Sequence, residues 1–389
     1  MRDVVIVGGG PAGASTALHL VRKEKLEPSR VVVLDKARFP RDKPCAGAVS
    51  QLGLEVLAAI GIDPSSPRVV MRGVRVLDGG AVGETIAPMG ACFRRTEFDA
   101  ELLRAAEADG VEVREGEGIG ALARSGDGWN VETTAGATIA ARFVAAADGA
   151  GSTTRKLLDL REPDRKGHLY VLDTDPTDAD AGVKRGLVDF DLSILEDGVA
   201  GYYWDFPTPL DGKEAVSRGI YDANLTKDGA GRAKEVLARS LAKRGVDIAK
   251  VKLRPFSTRP YVAGSQAWVR GLVLVGEACG IDQTTGEGIA QAIEMGRIAA
   301  KHLARAVATK NGDFGAYARE VRTSTTGRHL LQSAWMARRV YARIGSPARR
   351  YLLRSSYARE MAVRWYRGER LPPATILRLG AGLTASLLS

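Results

Sequence analysis

A glycine-rich turn after an apolar run constrains the fold of this chain most strongly. Residues 3–7 (Asp-Val-Val-Ile-Val) predict a strand buried on both faces, and a helical pattern begins soon after them. Between the two, residues 8–13 (Gly-Gly-Gly-Pro-Ala-Gly) satisfy the G-x-G-x-x-G pattern of dinucleotide-binding folds. Gly8 allows the tight turn, Gly10 lets the backbone approach a pyrophosphate, and Gly13 lets helix and strand pack closely.

The next predicted strand ends in an acid, as a bound nucleotide requires. Residues 31–34 are Val-Val-Val-Leu, and Asp35 follows them, 22 residues after Gly13. A carboxylate in this position accepts hydrogen bonds from a ribose diol and repels a 2′-phosphate. Strand, glycine turn, helix and strand together predict a βαβ unit with parallel pairing.

Two further strand ends carry an acid beside a glycine turn, which favours FAD over NAD. Asp148-Gly149 follows one predicted strand, and residues 268–276 predict another that leads into Glu277. A simple NAD dehydrogenase needs one such element, whereas extended FAD has adenosine, pyrophosphate, ribityl chain and isoalloxazine to be held. Glu277 can accept hydrogen bonds from ribityl hydroxyls. The helix predicted to begin near Gly288 would place its positive end beside the reduced, anionic flavin.

Residues 187–206 follow a different pattern. Apolar residues from Val188 to Ile194 alternate with Asp189, Asp191 and Ser193, which predicts a half-exposed antiparallel strand, and a returning strand follows. The predicted fold class is α/β: a Rossmann-like FAD-binding domain with an inserted antiparallel β-sheet substrate domain and a C-terminal helical tail. The predicted segments are 1–65, 93–165 and 259–311 for the FAD-binding domain, 66–92 and 166–258 for the substrate domain, and 312–389 for a basic helical region.

Positive charge is concentrated at the C-terminal end. The whole chain carries +10, yet residues 321–389 contain thirteen arginines, no lysine and two acids, so the rest is close to neutral. This distribution argues against a nucleic-acid-binding protein. Arginines such as Arg338, Arg343 and Arg354 alternate with apolar residues such as Trp335. The pattern predicts either an amphipathic surface for an anionic membrane, a prenyl diphosphate or an acidic carrier protein, or a solvated helical face that packs on the protein.

Cysteine usage and hydropathy indicate the compartment. Cys45, Cys92 and Cys279 are scattered and odd in number, so neither a disulfide framework nor a metal site is predicted. No uninterrupted apolar run reaches the roughly 18 residues that a spanning helix needs. We expect a cytoplasmic protein, with peripheral attachment at the inner membrane face as the alternative.

The motifs together resemble those of the geranylgeranyl reductase family, within the wider group of p-hydroxybenzoate-hydroxylase-like flavoproteins. The matches extend from Val4 to about Ala300. They comprise Gly8–Gly13 with Asp35-Lys36; Lys43-Pro44-Cys45-Ala46-Gly47; Arg95-Thr96-Glu97-Phe98-Asp99; Asp148-Gly149 with Ser152 and Arg155; Tyr202-Tyr203-Trp204-Asp205-Phe206-Pro207; and Gly276-Glu277 through Gly286-Glu287-Gly288-Ile289.

The resemblance implies an FAD-dependent oxidoreductase with a defined set of site residues. It places Cys45 at the active-site side of the flavin ring and Tyr202–Pro207 in the wall of the substrate cavity, so Cys45, Tyr202 and Trp204 are the predicted catalytic residues. The alternatives are a small packed cysteine and a plain core stripe of aromatics. The predicted cofactor residues are Gly8, Gly10, Pro11, Ala12, Gly13, Asp35, Lys36, Arg95, Ile119, Asp148, Glu277, Gly286, Gly288 and Ile289.

Three positions depart from the family pattern. Glu277 stands where aspartate is more frequent, Gln283 where a proline is expected, and Ala46 where a second glycine follows the cysteine. These departures affect the assignment of a substrate more than the assignment of the cofactor.

The function expected from the resemblance is reduction of a carbon–carbon double bond in a bulky apolar substrate, prenyl-like or a secondary metabolite, by hydride transfer from flavin N5. A monooxygenase would use the same FAD residues, and a redox-neutral cyclase or isomerase and a non-catalytic FAD-bound or membrane-surface protein are further alternatives. A flavin halogenase is disfavoured because no Trp-x-Trp-x-Ile-Pro stretch occurs. With one dinucleotide fingerprint, NADPH or NADH bound transiently, or a ferredoxin-like protein, is the expected donor. The substrate is expected to come free, on a carrier or from a membrane.

Overall fold

Two β-sheets with surrounding helices form the computed structural model, which describes residues 1–163, 165–226, 231–341 and 345–388. The strands are β1 (Arg2–Val7), β2 (Val31–Asp35), β3 (Ala48–Ser50), β4 (Arg68–Asp78), β5 (Ala81–Phe93), β6 (Glu112–Glu115), β7 (Ile119–Ser125), β8 (Gly128–Thr133), β9 (Thr138–Ala146), β10 (Gly167–Thr174), β11 (Leu187–Asp191), β12 (Gly201–Leu210), β13 (Lys213–Asp222), β14 (Arg254–Thr258), β15 (Trp268–Val269) and β16 (Leu272–Leu274). The helices are α1 (Pro11–Arg22), α2 (Gln51–Ala58), α3 (Arg95–Ala108), α4 (Thr153–Leu157), α5 (Ala233–Ala242), α6 (Ile289–Thr309), α7 (Gly315–Thr323), α8 (Thr325–Val340), α9 (Gly345–Arg354), α10 (Ser356–Tyr366) and α11 (Pro373–Leu388).

The first sheet is the predicted parallel one. Its strand order is β15-β16-β9-β1-β2-β6, and β1 pairs in parallel with both β2 and β9. Helices α1 and α6 pack against each other, and Gly296 of α6 is close enough for an added Cβ to lie 2.8 Å from the Ala12 carbonyl oxygen. The prediction of one strand over 268–276 is wrong. Gly271, at φ +78°, turns the chain between β15 and β16 instead.

The second sheet collects strands from three parts of the chain. Its order is β14-β10-β13-β12-β11-β4-β5-β3, with antiparallel pairing throughout except between β4 and β11, which run parallel. The strands of residues 66–92 and 166–258, the segments of the predicted substrate domain, all belong to this sheet. β3 also pairs here, with β5, although it lies within the segment 1–65 assigned to the FAD-binding domain.

The prediction that β11 exposes its acidic face is wrong. Asp189 and Asp191 are buried, at 2% and 8% exposure. Arg75 binds Asp189 through two nitrogens, and Arg244 donates to Asp191 over 3.0 Å. Helix α5 packs on the same side of the sheet and excludes water there. Burial raises the pKa of Asp189 to about 6 despite its arginine partner.

The C-terminal helices cover both sheets. The Tyr317 hydroxyl of α7 donates to the Leu274 carbonyl of the first sheet over 2.6 Å, whereas α9 and α10 pack on β4 and β5 of the second. Helix α11 packs on α9. Arg343 of the basic region lies outside the described residues. None of the helices in the described ranges combines the length and apolar character needed to cross a membrane.

Candidate active site

A cavity of about 600 Å³ opens where β1, β2 and β9 end. Carboxyl ends of parallel strands are the usual ligand-binding edge of such sheets. All but one of the predicted cofactor residues line it, together with one predicted catalytic residue: Gly8, Gly10, Pro11, Ala12, Asp35, Lys36, Cys45, Arg95, Ile119, Asp148, Glu277, Gly286, Gly288 and Ile289.

Gly13 is the predicted cofactor residue that does not line this cavity, because it lies beneath the turn. An added Cβ at Gly13 would lie 1.8 Å from the Gly8 carbonyl oxygen, so only glycine lets α1 approach the end of β1 this closely. Gly8 has φ +106°, a region that favours glycine. The first turn of α1, which begins at Pro11, therefore directs its free N–H groups into the cavity.

Backbone amides and a hydroxyl fix the two acids at the strand ends. Asp35 accepts hydrogen bonds from the amides of Gly9 and Ala37, over 2.7 and 2.8 Å. Asp148 accepts from the Ser152 hydroxyl over 2.6 Å and from the Thr154 amide over 2.8 Å. Each carboxylate thus holds one cavity loop in place, and each retains lone pairs for a ligand.

Glu277 provides a test of whether FAD fits the cavity. Its Oε2 lies 3.3 Å from Lys43 Nζ, while its buried Oε1 has no hydrogen-bond partner among the described residues. A buried acceptor without a partner costs free energy unless a ligand donates to it, and ribityl hydroxyls are such donors. An added Cβ at Gly149 or Gly151 would meet nothing within 4 Å, so the backbone leaves room there. The residues fit an extended FAD.

Two basic residues of the cavity were missed as candidate site residues. Arg41 lies 3.2 Å from Asp99, and its guanidinium is 3.1 Å from a Cβ built on Gly10, where a pyrophosphate would lie. Lys43 reaches Glu277 and the Phe256 ring. Both lie in the loop before Cys45, and the sequence signal that could have found them is this cluster of basic residues after the second strand. The predicted Arg95 is buried and binds Asp99 through two bonds of 2.6 Å.

The three predicted catalytic residues do not share one cavity. Cys45 is half-buried in the cofactor cavity, and its Sγ accepts from the Gly47 amide over 3.3 Å. Tyr202 and Trp204 lie in a neighbouring group of buried side chains, called the aromatic cluster here. Its members are Met71, Val74, Val76, Met89, Cys92, Val171, Val188, Leu192, Tyr202, Trp204, Phe206, Tyr221, Ala223, Val363 and Tyr366.

The aromatic cluster touches the cofactor cavity at Gly286. A Cβ built there would lie 3.5 Å from the Tyr221 ring and 3.8 Å from the Tyr202 hydroxyl oxygen. That hydroxyl donates to the Thr285 carbonyl. Trp204 packs against Gly219, and its buried Nε1 has no hydrogen-bond partner in the described part of the chain. Tyr202 thus contacts the cofactor loop, whereas the contact shown for Trp204 is with Gly219 of β13.

Residues 282–288 form the loop between the cavity and the cluster, and helix α8 fixes it. Asp282 is fully buried and accepts from His329 Nε2 over 2.9 Å and from the Thr285 hydroxyl over 2.7 Å. His329 stacks on Trp365 of α10 with ring centroids 3.8 Å apart. These contacts hold the loop rigidly, and sequence reasoning missed them because the partners come from the C-terminal region.

Glu287, on the same loop, is an acid with a strongly raised pKa. It is 8% exposed, its Oε1 accepts from the Ala290 amide over 3.1 Å, and burial raises its pKa to about 7. Burial also raises the pKa of Tyr366, and the nearby Glu287 and Cys45 raise it further. A carboxylic acid that is protonated near neutral pH therefore lies close to both the cofactor cavity and the aromatic cluster.

A second cavity, of about 710 Å³, is lined by five arginines and one acid, and is called the arginine cavity here. Arg155 and Arg259 are each 2% exposed. Burial and the neighbouring Arg259 lower the pKa of Arg155, and Glu162 pairs with both arginines, 2.7 Å from Arg259 Nη1 and 3.4 Å from Arg155 Nε. Arg259 Nη2 donates to the carbonyl of Ala150, which lines the cofactor cavity, over 2.8 Å. The two cavities therefore adjoin.

Fold and cavity together define a flavoprotein that binds FAD. The chain belongs to the FAD-binding-domain family, whose model matches residues 1–306. It is 30% identical to the digeranylgeranylglycerophospholipid reductase of Methanoculleus marisnigri, over 79% of this chain and 77% of that protein. It is 26% identical to the menaquinone reductase of Mycobacterium tuberculosis, over 77% and 76% of the two chains.

The solved structure of a geranylgeranyl bacteriochlorophyll reductase-like protein from Thermoplasma acidophilum has the same fold. Its TM-score is 0.71 at 21% identity, with 97% of this chain and 95% of that chain covered. The chain is therefore a geranylgeranyl-reductase-like, FAD-dependent oxidoreductase.

Proposed function

We propose that the protein reduces a carbon–carbon double bond of a bulky apolar, prenyl-like substrate, with NADPH or NADH as the electron donor. The observation that carries this proposal is the aromatic cluster, which meets the cofactor loop at Gly286. The names of two relatives, a digeranylgeranylglycerophospholipid reductase and a menaquinone reductase, point to the same class of substrate.

The aromatic cluster supplies an apolar wall beside the cofactor loop. Phe190 lies 4.9 Å from Tyr202 and 5.2 Å from Phe206, measured between ring centroids, and Tyr202 lies 5.6 Å from Tyr221. Helices α9 and α10 close this wall from the other side. A prenyl chain packed against these rings would be removed from water, at about 25 cal/mol per Å² of apolar surface buried.

Saturating a double bond requires a hydride on one carbon and a proton on the other. Reduced FAD bound in the cavity would supply the hydride. Glu287 holds a proton beside the same cavity, because burial raises the pKa of its carboxyl to about 7. The Ala290 amide, which donates to Glu287 Oε1, keeps the carboxyl in one orientation. We therefore assign proton donation to Glu287 and an apolar contact to Tyr202.

The arginine cavity supports a nicotinamide dinucleotide as donor. Such donors carry a diphosphate, and NADPH an additional 2′-phosphate, so they need a basic site. Arg155 and Arg259 are already desolvated and adjacent, and Glu162 pairs with both, so a bound phosphate would be a second anionic partner for the two guanidinium groups. Ala150, which accepts from Arg259, connects this site to the cofactor cavity.

Replacing Arg259 with glutamine is expected to raise KM for NADPH by about tenfold to a hundredfold, the usual value of a charge-assisted hydrogen bond. Stopped-flow reduction of the bound flavin measures the effect. Reduction by dithionite should be unchanged, because Arg259 itself does not line the cofactor cavity. The matched control is Arg142→Gln, which removes a partly buried arginine that pairs with Asp3 over 3.0 Å. An unchanged KM would indicate a donor that binds elsewhere, such as a ferredoxin-like protein.

Anaerobic turnover tests the reaction itself. The purified protein is reduced with NADPH, with NADH or with dithionite, and then mixed with geranylgeranyl lipids, menaquinones or phenolic compounds while flavin reoxidation is followed. We expect reoxidation by a polyprenyl compound and a product that gains two hydrogen atoms per double bond. A product that gains an oxygen atom, formed only in air, would instead identify a monooxygenase. An isomerised product of unchanged mass would identify a redox-neutral enzyme.

A further inference from the structure

The outer face of helix α11 has the composition of a buried surface, yet it is exposed. Ile376 and Leu377 are 50% and 75% exposed. Thr375, Leu379 and Gly382 lie on the opposite, half-buried side. The exposed positions occupy one side of the helix: Pro373, Ala374, Ile376, Leu377, Arg378, Gly380, Ala381, Thr384 and Ala385. A solvated helix face normally carries several charges, whereas this one carries a single arginine.

The surroundings of this face are basic. Glu369 is the last acid of the chain, and Arg354, Arg370 and Arg378 are exposed near or on α11. Arg350 donates to the Ser386 carbonyl over 3.1 Å, at the far end of the helix. An exposed apolar face that itself carries one arginine and no acid, with further exposed arginines nearby, complements an anionic lipid surface. Two copies of the same basic face would repel each other, which disfavours a second copy of this chain as its partner.

The helix layer that carries this face continues to the aromatic cluster. Tyr351 of α9 packs against Gly382 of α11, while Leu352 and Leu353 pack against the cluster. Val363 and Tyr366 of α10 belong to the cluster itself. Side-chain packing therefore extends from the half-buried side of α11, through α9 and α10, to the aromatic cluster beside the cofactor loop.

We propose that the exposed face of α11 docks on the surface of an anionic lipid bilayer. Ile376 and Leu377 enter the boundary between headgroups and acyl chains, and the flanking arginines bind lipid phosphates. The helix lies in the plane of the surface. In this orientation, α11 lies between the bilayer and α9, so the helix layer over the aromatic cluster is held close to the lipid from which an apolar substrate would come. That last consequence rests on the proposed function, whereas the docking itself does not.

Sedimentation with vesicles tests the docking without turnover. The flavin-loaded protein is mixed at low salt with vesicles of phosphatidylglycerol and phosphatidylcholine, or of phosphatidylcholine alone. We expect binding to the anionic vesicles and its loss at high salt. The double variant Ile376→Ser with Leu377→Ser should bind at least about tenfold more weakly, since two large apolar side chains no longer enter the lipid. Val70→Ser, at a position that is 52% exposed on β4, should bind like the wild type.

Two further measurements test the role of the arginines and the alternative that a second copy of the chain covers this face. The variant Arg354→Ser with Arg370→Ser should weaken binding to anionic vesicles and leave binding to neutral vesicles unchanged. Equal sedimentation with both vesicle types, or no sedimentation, would overturn the proposal. A wild-type dimer in solution that the Ile376→Ser, Leu377→Ser variant converts to a monomer would overturn it too, because the face would then belong to a second copy. Docking that persists in a protein without double-bond reduction would refute only the proposed function.

Discussion

Replacing Gly13 with alanine is expected to give a protein that purifies without FAD and unfolds at a lower temperature. The added Cβ would lie 1.8 Å from the Gly8 carbonyl oxygen and 3.2 Å from Ile6 Cγ2. Neither the backbone of the turn nor the buried Ile6 can move aside without separating α1 from β1. Overpacking of this kind costs on the order of 3 kcal/mol or more. The visible absorbance of the purified protein and its thermal unfolding measure the two effects.

Two other glycines separate loss of the fold from loss of the cofactor. In Gly10→Ala, the new Cβ would meet only the end of the Arg41 side chain, at 3.1 Å, so the protein should fold normally. It should nevertheless bind FAD more weakly, because the methyl group occupies the place of the pyrophosphate. Gly380→Ala, where a Cβ would meet nothing within 4 Å, should change neither property. A Gly13→Ala protein with full flavin content would show that the turn does not form the cofactor site.

Replacing Glu287 with glutamine is expected to lower kcat for double-bond reduction by about a hundredfold or more, the usual contribution of a general acid. Glutamine keeps the acceptor for the Ala290 amide but has no proton to donate. Reduction of the flavin by NADPH should be unaffected, because that step needs no proton from this side chain. The measurement is single-turnover reoxidation of the reduced enzyme by substrate, compared with flavin reduction by the donor.

The pH dependence provides an independent readout. Burial raises the pKa of Glu287 to about 7, so the wild-type rate should fall as pH rises through 7 and the carboxyl loses its proton. Because the pKa of Glu287 is raised in the folded state from its ordinary 4.5, the stability that its protonated form contributes is lost as pH rises from about 4.5 to about 7. The Glu287→Gln variant should show neither slope. The control is Glu294→Gln, another buried glutamate, which pairs with Arg297 over 2.7 Å. A flat wild-type profile would contradict proton donation by Glu287.

The parts of the fold that depend on local sequence were predictable. The turn at Gly8–Gly13, the acid at Asp35 and the helix after Gly288 all lie where the sequence predicts them. In each case neighbouring residues supply the geometry: a glycine permits a turn, a helix start presents N–H groups, and a strand end exposes an acid. The residues that line the cofactor cavity follow from three such local units.

The errors arose where distant residues decide the outcome. The alternating pattern predicts that Asp189 is exposed to solvent. Its burial depends on Arg75, which lies 114 residues earlier in the chain. The raised pKa of Glu287 depends on burial that helices of the C-terminal region help to provide. Gly271 is different, because a glycine at this position could have predicted a turn with positive φ from the local sequence alone. A continuous apolar run hid the turn that this glycine makes.

The cover that α9 and α10 place over the second sheet has a consequence during protein synthesis. The strands of that sheet are complete at Thr258, but the helices that bury its aromatic side chains begin only at Gly345. A growing chain therefore displays an exposed apolar surface until residues 345–366 have left the ribosome. A gene truncated after residue 306 would encode the full matched family region, yet its product would keep that surface bare and should aggregate. For this enzyme, we expect the packing of α9 and α10 on the second sheet to complete folding.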